Sequence, residues 1–177
     1  MNKPILLILF VIALSACTSK YDSLKKDITT LEKKIGEQTV IDKTDGSKLL
    51  GLYIDFAASF PEDSSTHVIL YNAARVAISI EETQKALELL EQIIDDYPDS
   101  QLVPEAYILT GFIYENILLD IDQARKWYEL FIQHFPTHSM GEDIRTTILN
   151  LGKSPEELAQ EYLSHIDKDS TTVENGE

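Results

Sequence analysis

The stretch "KALELLEQIIDDYPDS", residues 85–100, decides the fold class of this chain. Its apolar side chains recur at steps of four, three and four, at Ala86, Leu90, Ile93 and Tyr97. This spacing places them on one face of an amphipathic helix. Proline follows at once, and it ends the helix because it has no amide donor and disfavours a helical conformation in the residue before it. The stretch therefore predicts a helix with a defined face and a defined end.

The same ending occurs twice more, in "KLLGLYIDFAASFP" (residues 48–61) and "QARKWYELFIQHFP" (residues 123–136). An aromatic residue precedes the proline each time. The three prolines, Pro61, Pro98 and Pro136, lie 37 and 38 residues apart. Self-similarity at this period is typical of arrays of helical hairpins. The chain is therefore predicted to be all-α, with a repeated helical pair.

The first helix of each pair is predicted in "THVILYNAARVAISI" (residues 66–80) and "PEAYILTGFIYENI" (residues 104–117). Each contains a small residue 13 positions after the preceding proline, Ala74 in one and Gly111 in the other. A small residue lets a neighbouring helix approach closely. Two helices in sequence are therefore expected to pack as a hairpin.

These residues resemble the tetratricopeptide repeat. The pattern of that family is a bulky residue, small residues, an aromatic, an alanine that opens the second helix, another bulky residue and a closing proline. The resemblance extends over residues 47–165 and implies a solenoid of helical hairpins that binds proteins or peptides. One unit departs from the pattern at Ala77, where an aromatic is usual. The matching residues are Leu70, Ala73, Ala74, Ala77, Ala86, Leu90, Ile93 and Pro98 in one unit, and Tyr107, Thr110, Gly111, Tyr114, Ala124, Tyr128, Phe131 and Pro136 in the next.

A weaker helical pair follows, "SMGEDIRTTILNL" and then "SPEELAQEYLSHI". Ser154 with Glu157 three residues later forms a capping box, and Pro155 suits the first turn of a helix. A last helix is therefore predicted after Ser154. It is expected to cover the open end of the array, because terminal repeats need a polar outer face.

Before the repeats, Leu24, Ile28, Leu31 and Ile35 recur at steps of four, three and four. Such spacing suits a coiled coil, but two heptads are fewer than a coiled coil usually needs. Two interpretations stay open, a helix that lies on the repeats and a stalk that associates with a second copy.

The beginning of the chain is predicted to be a signal peptide, residues 1–16. A short basic start precedes "ILLILFVIAL", an apolar run too short to span a bilayer, which needs about 20 residues. Leu14-Ser15-Ala16-Cys17 then resembles a bacterial lipobox. The resemblance implies that the Cys17 thiol carries a diacylglycerol and that Cys17, after cleavage, becomes the acylated amino terminus. The alternative is an unlipidated core cysteine after an uncleaved apolar helix.

The lipobox resemblance also implies a location. Thr18 stands where lipoproteins retained at the inner membrane of enteric bacteria have an aspartate. The chain is therefore expected at the bacterial cell envelope, anchored by lipid to the outer membrane. Residues 17–46 are expected to form the linker from the anchor, with its short helix or coiled coil, and residues 166–177 a disordered acidic tail.

The formal net charge of −15 and the sequence pI near 4.5 limit the kinds of partner. A field this acidic repels nucleic acid and anionic lipid. The expected partners are instead an envelope protein or peptide, with the membrane contacted through the lipid anchor.

No pattern in the sequence indicates catalysis. Neither a glycine-rich phosphate loop nor a strand–turn–helix serine motif occurs, so the chain is predicted not to be an enzyme. His134 and His138 are four residues apart, but Pro136 ends the helix between them, and they do not share a face as metal-binding pairs do. No metal and no cofactor other than the covalent lipid on Cys17 is expected.

The candidate site is the groove formed by the first helices of the pairs. Tyr71, Ile108 and Phe112 would form an apolar strip suited to an extended or helical peptide. The alternative is that the amino-terminal helix or the closing pair covers this strip as core. Some relatives hold a terminal carboxylate with lysines and asparagines along the groove, whereas this sequence offers only an arginine. The groove residues are Val68, Tyr71, Arg75, Ile78, Ile108, Phe112 and Glu115.

The sequence supports one main functional hypothesis, a lipid-anchored scaffold that binds another envelope protein. A narrower version is a subunit of assembly machinery. Its basis is that the aromatic–proline endings are similar to those of the lipoprotein of the outer-membrane β-barrel assembly complex and the periplasmic coordinator of the Tol–Pal system. A hypothesis of another class is a substrate-binding lipoprotein, which would need a convergent polar pocket.

Overall fold

The computed structural model describes residues 3–160 and residue 163, with side chains from residue 19 onward. The described backbone forms helices joined by short turns and contains no strand, so the predicted all-α class of helical hairpins is confirmed. A further helix, called the closing helix here, includes residues 155–160 and residue 163. The helices before it are α1 (Lys3–Gly36), α2 (Lys43–Ser59), α3 (Thr66–Ser79), α4 (Thr83–Asp96), α5 (Val103–Asn116), α6 (Ile121–His134) and α7 (Gly141–Asn150).

The chain divides into two compact units, Met1–Thr110 and Gly111–Glu177, and the division falls within α5. In the first unit, α1 packs on α2, α2 on α3, and α3 on α4. In the second unit, α6 packs on α7. Within the described residues, none of the helices combines the length and the hydropathy that a membrane-spanning segment requires.

The three aromatic–proline endings have the same geometry. The C-caps of α2, α4 and α6 are Phe60, Tyr97 and Phe135, with φ of −135°, −129° and −128° and ψ of 59°, 54° and 59°. Each cap N–H donates to the carbonyl four residues earlier, and the proline then has no amide with which to continue the helix. The predicted helix ends are confirmed.

The helix before the repeats lies on the array. Its apolar residues Leu24, Ile28 and Leu31 are buried, and α1 packs along α2. The Tyr53 hydroxyl of α2 donates to the Glu32 carboxylate of α1 at 2.6 Å. Burial, and then the hydrogen bond to Glu32, raise the pKa of Tyr53. The face that could have formed a coiled coil is therefore used within the chain.

The small residues on the first helices allow close packing, as predicted. Ala74 of α3 is fully buried. A Cβ atom on Gly111 of α5 would lie 2.5 Å from the Tyr128 ring of α6, a distance that Cβ contacts in proteins essentially never show. Glycine is therefore required for the two helices to approach as they do.

The turns inside the two complete pairs share an unusual backbone. Glu81 and Leu119, which precede the N-caps of α4 and α6, have positive φ of 67° and 55°. The side chain of Asp120 then caps α6 by accepting from the Gln123 N–H at 3.0 Å. A leucine in this left-handed region is strained, because its Cβ crowds the backbone.

The capping box of the closing helix is confirmed. The Ser154 N–H donates to the Glu157 carboxylate at 2.7 Å, and the Glu157 N–H donates to the Ser154 hydroxyl at 3.2 Å. In the described residues, the expectation that this helix covers the last face of the array is not met, because Leu149 of α7 is 71% exposed and Leu163 of the closing helix is 60% exposed.

Candidate partner-binding site

The first unit contains five of the predicted groove residues, four on α3 and one on α5. Val68 is exposed to 42%, and Arg75 is exposed as well. Tyr71, Ile78 and Ile108 are half-buried. The side chains of this part of the predicted groove therefore keep accessible surface.

Charged side chains on both α3 and α5 act on the Tyr71 hydroxyl. Burial raises the pKa of its hydroxyl, the nearby Arg75 lowers it, and Glu105 of α5 raises it. Arg75 and Glu105 therefore both lie near this phenol. Among the described residues, the Arg75 guanidinium forms no ion pair, so its charge is available to a ligand.

Glu105 is a groove residue that the sequence interpretation missed. One of its carboxylate oxygens is buried and has no hydrogen-bond donor in the described part of the chain. A buried acceptor without a donor costs about 1 to 3 kcal/mol. The signal was present in the sequence, because Glu105 lies 37 residues after Val68, which is the repeat spacing.

The other two predicted groove residues lie in the second unit. Phe112 of α5 is exposed to 45%, a large fraction for an aromatic side chain. The Glu115 carboxylate, also on α5, accepts a hydrogen bond of 2.8 Å from the Tyr128 hydroxyl of α6. One oxygen of Glu115 is thus used to hold its own helical pair together.

The predicted lipid attachment residue, Cys17, lies within α1, where the structure describes the backbone but not the side chain. The signal peptide and the lipid anchor therefore stay predictions. Residues 164–177, which include the whole of the predicted acidic tail (residues 166–177), lie outside the described residues.

The described residues include no group of three or more histidine, cysteine or acidic side chains placed to hold a metal ion. His138 packs its ring edge-on against Phe131 at a centroid distance of 5.4 Å. That contact gives one of the four histidines a packing role.

Comparison with known proteins gives one finding. Residues 69–100 match the family model of the tetratricopeptide repeat, and this segment includes most of α3 and the whole of α4. No curated protein and no solved structure matches the chain. The match supports a tetratricopeptide-repeat protein, and repeats of this kind indicate a scaffold for protein–protein interaction.

Proposed function

We propose that this chain is a lipid-anchored scaffold of the bacterial cell envelope that binds a partner protein or peptide along its first helices. The binding surface is the groove predicted from the repeat, extended by Glu105. The observation that carries the proposal is that two groups near Tyr71 have no partner among the described residues. One is the exposed Arg75 guanidinium, which forms no ion pair, and the other is a buried Glu105 carboxylate oxygen, which has no hydrogen-bond donor.

These groups fit the backbone of a peptide. A peptide N–H would satisfy the Glu105 oxygen, a peptide carbonyl or carboxylate would accept from Arg75, and apolar side chains would pack on Ile108 and the Tyr71 ring. The net charge of −15 adds a preference for a partner surface with positive charge.

Co-purification from solubilised membranes tests the groove. The full chain should retain a reproducible partner, identified by mass spectrometry, and Arg75→Glu should lower its yield at least tenfold, equivalent to about 1.4 kcal/mol. Lys26→Glu is the matched control, since it makes the same charge change at an exposed position on α1. If both variants lose the partner to the same extent, or if the unchanged chain retains no partner, the proposal that the groove binds a partner is refuted.

Metabolic labelling tests the anchor. We expect labelled palmitate to be incorporated into the unchanged chain and into Arg75→Glu, because the lipid attaches at Cys17. Cys17→Ser should abolish the label and leave the unprocessed chain. Normal labelling of Cys17→Ser would contradict lipid attachment at this residue, whatever the groove variants show.

A further inference from the structure

An apolar cleft lies between α6 and α7 in the second unit. Its volume is about 430 Å³, within the range of ligand and peptide sites. Ile132 of α6 and Ile148 and Leu149 of α7 line it, and Leu149 is 71% exposed. The rim is formed by the polar side chains Glu129, Gln133 and Arg145.

The repeat spacing shows what occupies the equivalent place earlier in the chain. Leu149 lies 13 residues after Pro136, as Gly111 lies 13 residues after Pro98. Gly111 is buried under the Tyr128 ring, which belongs to the second helix of its pair. The open face of α7 is therefore the face that a second helix normally covers.

The described residues of the chain's own closing helix leave this face open, since Leu149 is 71% exposed. Position four after the N-cap is alanine in α4 and α6, at Ala86 and Ala124, but leucine after Ser154, at Leu158. Two large side chains at this crossing, Leu149 and Leu158, would hinder the close approach that small residues permit. Leu163 is 60% exposed, and none of the closing-helix residues that the structure describes, 155–160 and 163, lines the cleft.

The charge at the rim of the cleft indicates which charged residues a helix bound there would have. Glu129 is exposed, whereas the Arg145 guanidinium is already paired with Glu142 at 2.7 Å. The rim is therefore left with negative charge, on a chain whose net charge is −15. Lysine or arginine next to the apolar face of a helix would complement it.

We infer that the α6–α7 cleft is a second interaction surface, which takes an amphipathic helix of a partner protein with aliphatic residues on one face and lysine or arginine beside them. The partner helix lies along Ile132, Ile148 and Leu149, in the place of the second helix of a pair. This surface is separate from the groove of the first helices and does not depend on it.

A photo-crosslinking experiment with the full chain in detergent tests the inference. The variant Gln133→p-benzoylphenylalanine places a photoreactive group at the rim. The probe is a synthetic amphipathic peptide of about 16 residues, built from leucine, alanine and lysine with leucines on one face. A second peptide has glutamate in place of lysine. Mass spectrometry then measures the yield of the adduct and the linked residues.

We expect an adduct with the lysine peptide and at least tenfold less with the glutamate peptide. Adding Leu149→Asp should lower the adduct at least tenfold. Leu119→Asp is the matched control, because Leu119 is equally apolar and 75% exposed but lies outside the cleft, and it should leave the yield unchanged. Circular dichroism checks that both variants keep their helix content.

Three results would overturn the inference. These are an adduct that Leu149→Asp does not reduce, a link to a second copy of the chain, and a link to the chain's own residues 158–166. Arg75→Glu should not change the adduct. If the Gln133 variant forms no adduct with the lysine peptide, while the unchanged chain still co-purifies with a partner that Arg75→Glu loses, this surface alone is refuted. The proposed function is then unaffected.

Discussion

Two helical pairs, α5 with α6 and α7 with the closing helix, differ in one physical respect. Where α5 meets α6, Gly111 lies under the Tyr128 ring and Ala124 is fully buried. Where α7 precedes the closing helix, the equivalent positions are Leu149 and Leu158, and Leu149 is exposed. The second helix of each pair has a side-chain N-cap, Asp120 in α6 and Ser154 in the closing helix. Side-chain size at the crossing, and not helix formation, separates a closed pair from one with an open face.

Gly111→Leu should have the largest effect on stability, because it gives α5 the large residue that α7 has at this position. The Tyr128 ring would have to move, so we expect the free energy of unfolding to fall by about 3 kcal/mol. Denaturant unfolding of the full chain measures it. Gly51→Leu is the control, since nothing lies within 4 Å of a Cβ at this exposed glycine of α2, and it should stabilise the chain by up to about 1 kcal/mol. Equal effects of the two substitutions would contradict the steric explanation.

Tyr128→Phe tests the hydrogen bond that the closed pair has across its helices. The substitution removes the donor to Glu115, and hydrogen bonds to charged groups contribute about 1.5 kcal/mol or more. We expect a loss of about 1.5 kcal/mol in the free energy of unfolding. Tyr97→Phe removes an exposed bond to the Pro61 carbonyl and should cost about 0.5 kcal/mol. A smaller effect at Tyr128 than at Tyr97 would be inconsistent with this role.

The same tyrosine predicts a dependence on alkaline pH. Burial, followed by the hydrogen bond to Glu115, raises the pKa of Tyr128 above its ordinary value near 10. The unfolded tyrosine therefore ionises first, and the stabilisation is complete below about pH 10 and is lost as the pH rises further. We expect the free energy of unfolding to fall less steeply above about pH 10 in Tyr128→Phe than in the unchanged chain. Parallel curves would contradict the shift.

A feature of the fold could be predicted from the sequence where it depends on residues within one helical turn of each other. The helix ends at Phe60, Tyr97 and Phe135 and the capping box at Ser154 were predicted, because proline chemistry and caps act within one helical turn. The position of α1 was left open, since the same apolar spacing suits packing on α2 or on a second copy. Tertiary packing decides that choice.

The groove and the open face were only partly predictable. The sequence interpretation missed Glu105, although its spacing of 37 residues from Val68 places it at the same position of the repeat. The 13-residue spacing from Pro136 also marks Leu149 as the crossing position of α7. Its exposure, however, depends on whether the closing helix packs against α7. Neither the burial of the Glu105 oxygen nor the exposure of Leu149 follows from the sequence pattern alone.

Leu119→Gly concerns the turn that joins the closed pair, and its expected effect is the smallest. Leu119 has a φ of 55°, which glycine adopts without strain, and its side chain is 75% exposed. We expect a gain of about 1 kcal/mol in the free energy of unfolding, measured by denaturant unfolding. A loss of stability would show that the leucine side chain contributes packing that outweighs the strain.

Hydrogen exchange of residues 141–150 in the full chain tests most directly whether side-chain size leaves the face of α7 open. In the double variant Leu149→Ala with Leu158→Ala, both crossing positions are small, as in the closed pairs. The closing helix should then pack on α7, and exchange of the α7 amides should slow at least tenfold, equivalent to about 1.4 kcal/mol of added protection. Unchanged or faster exchange would contradict the account.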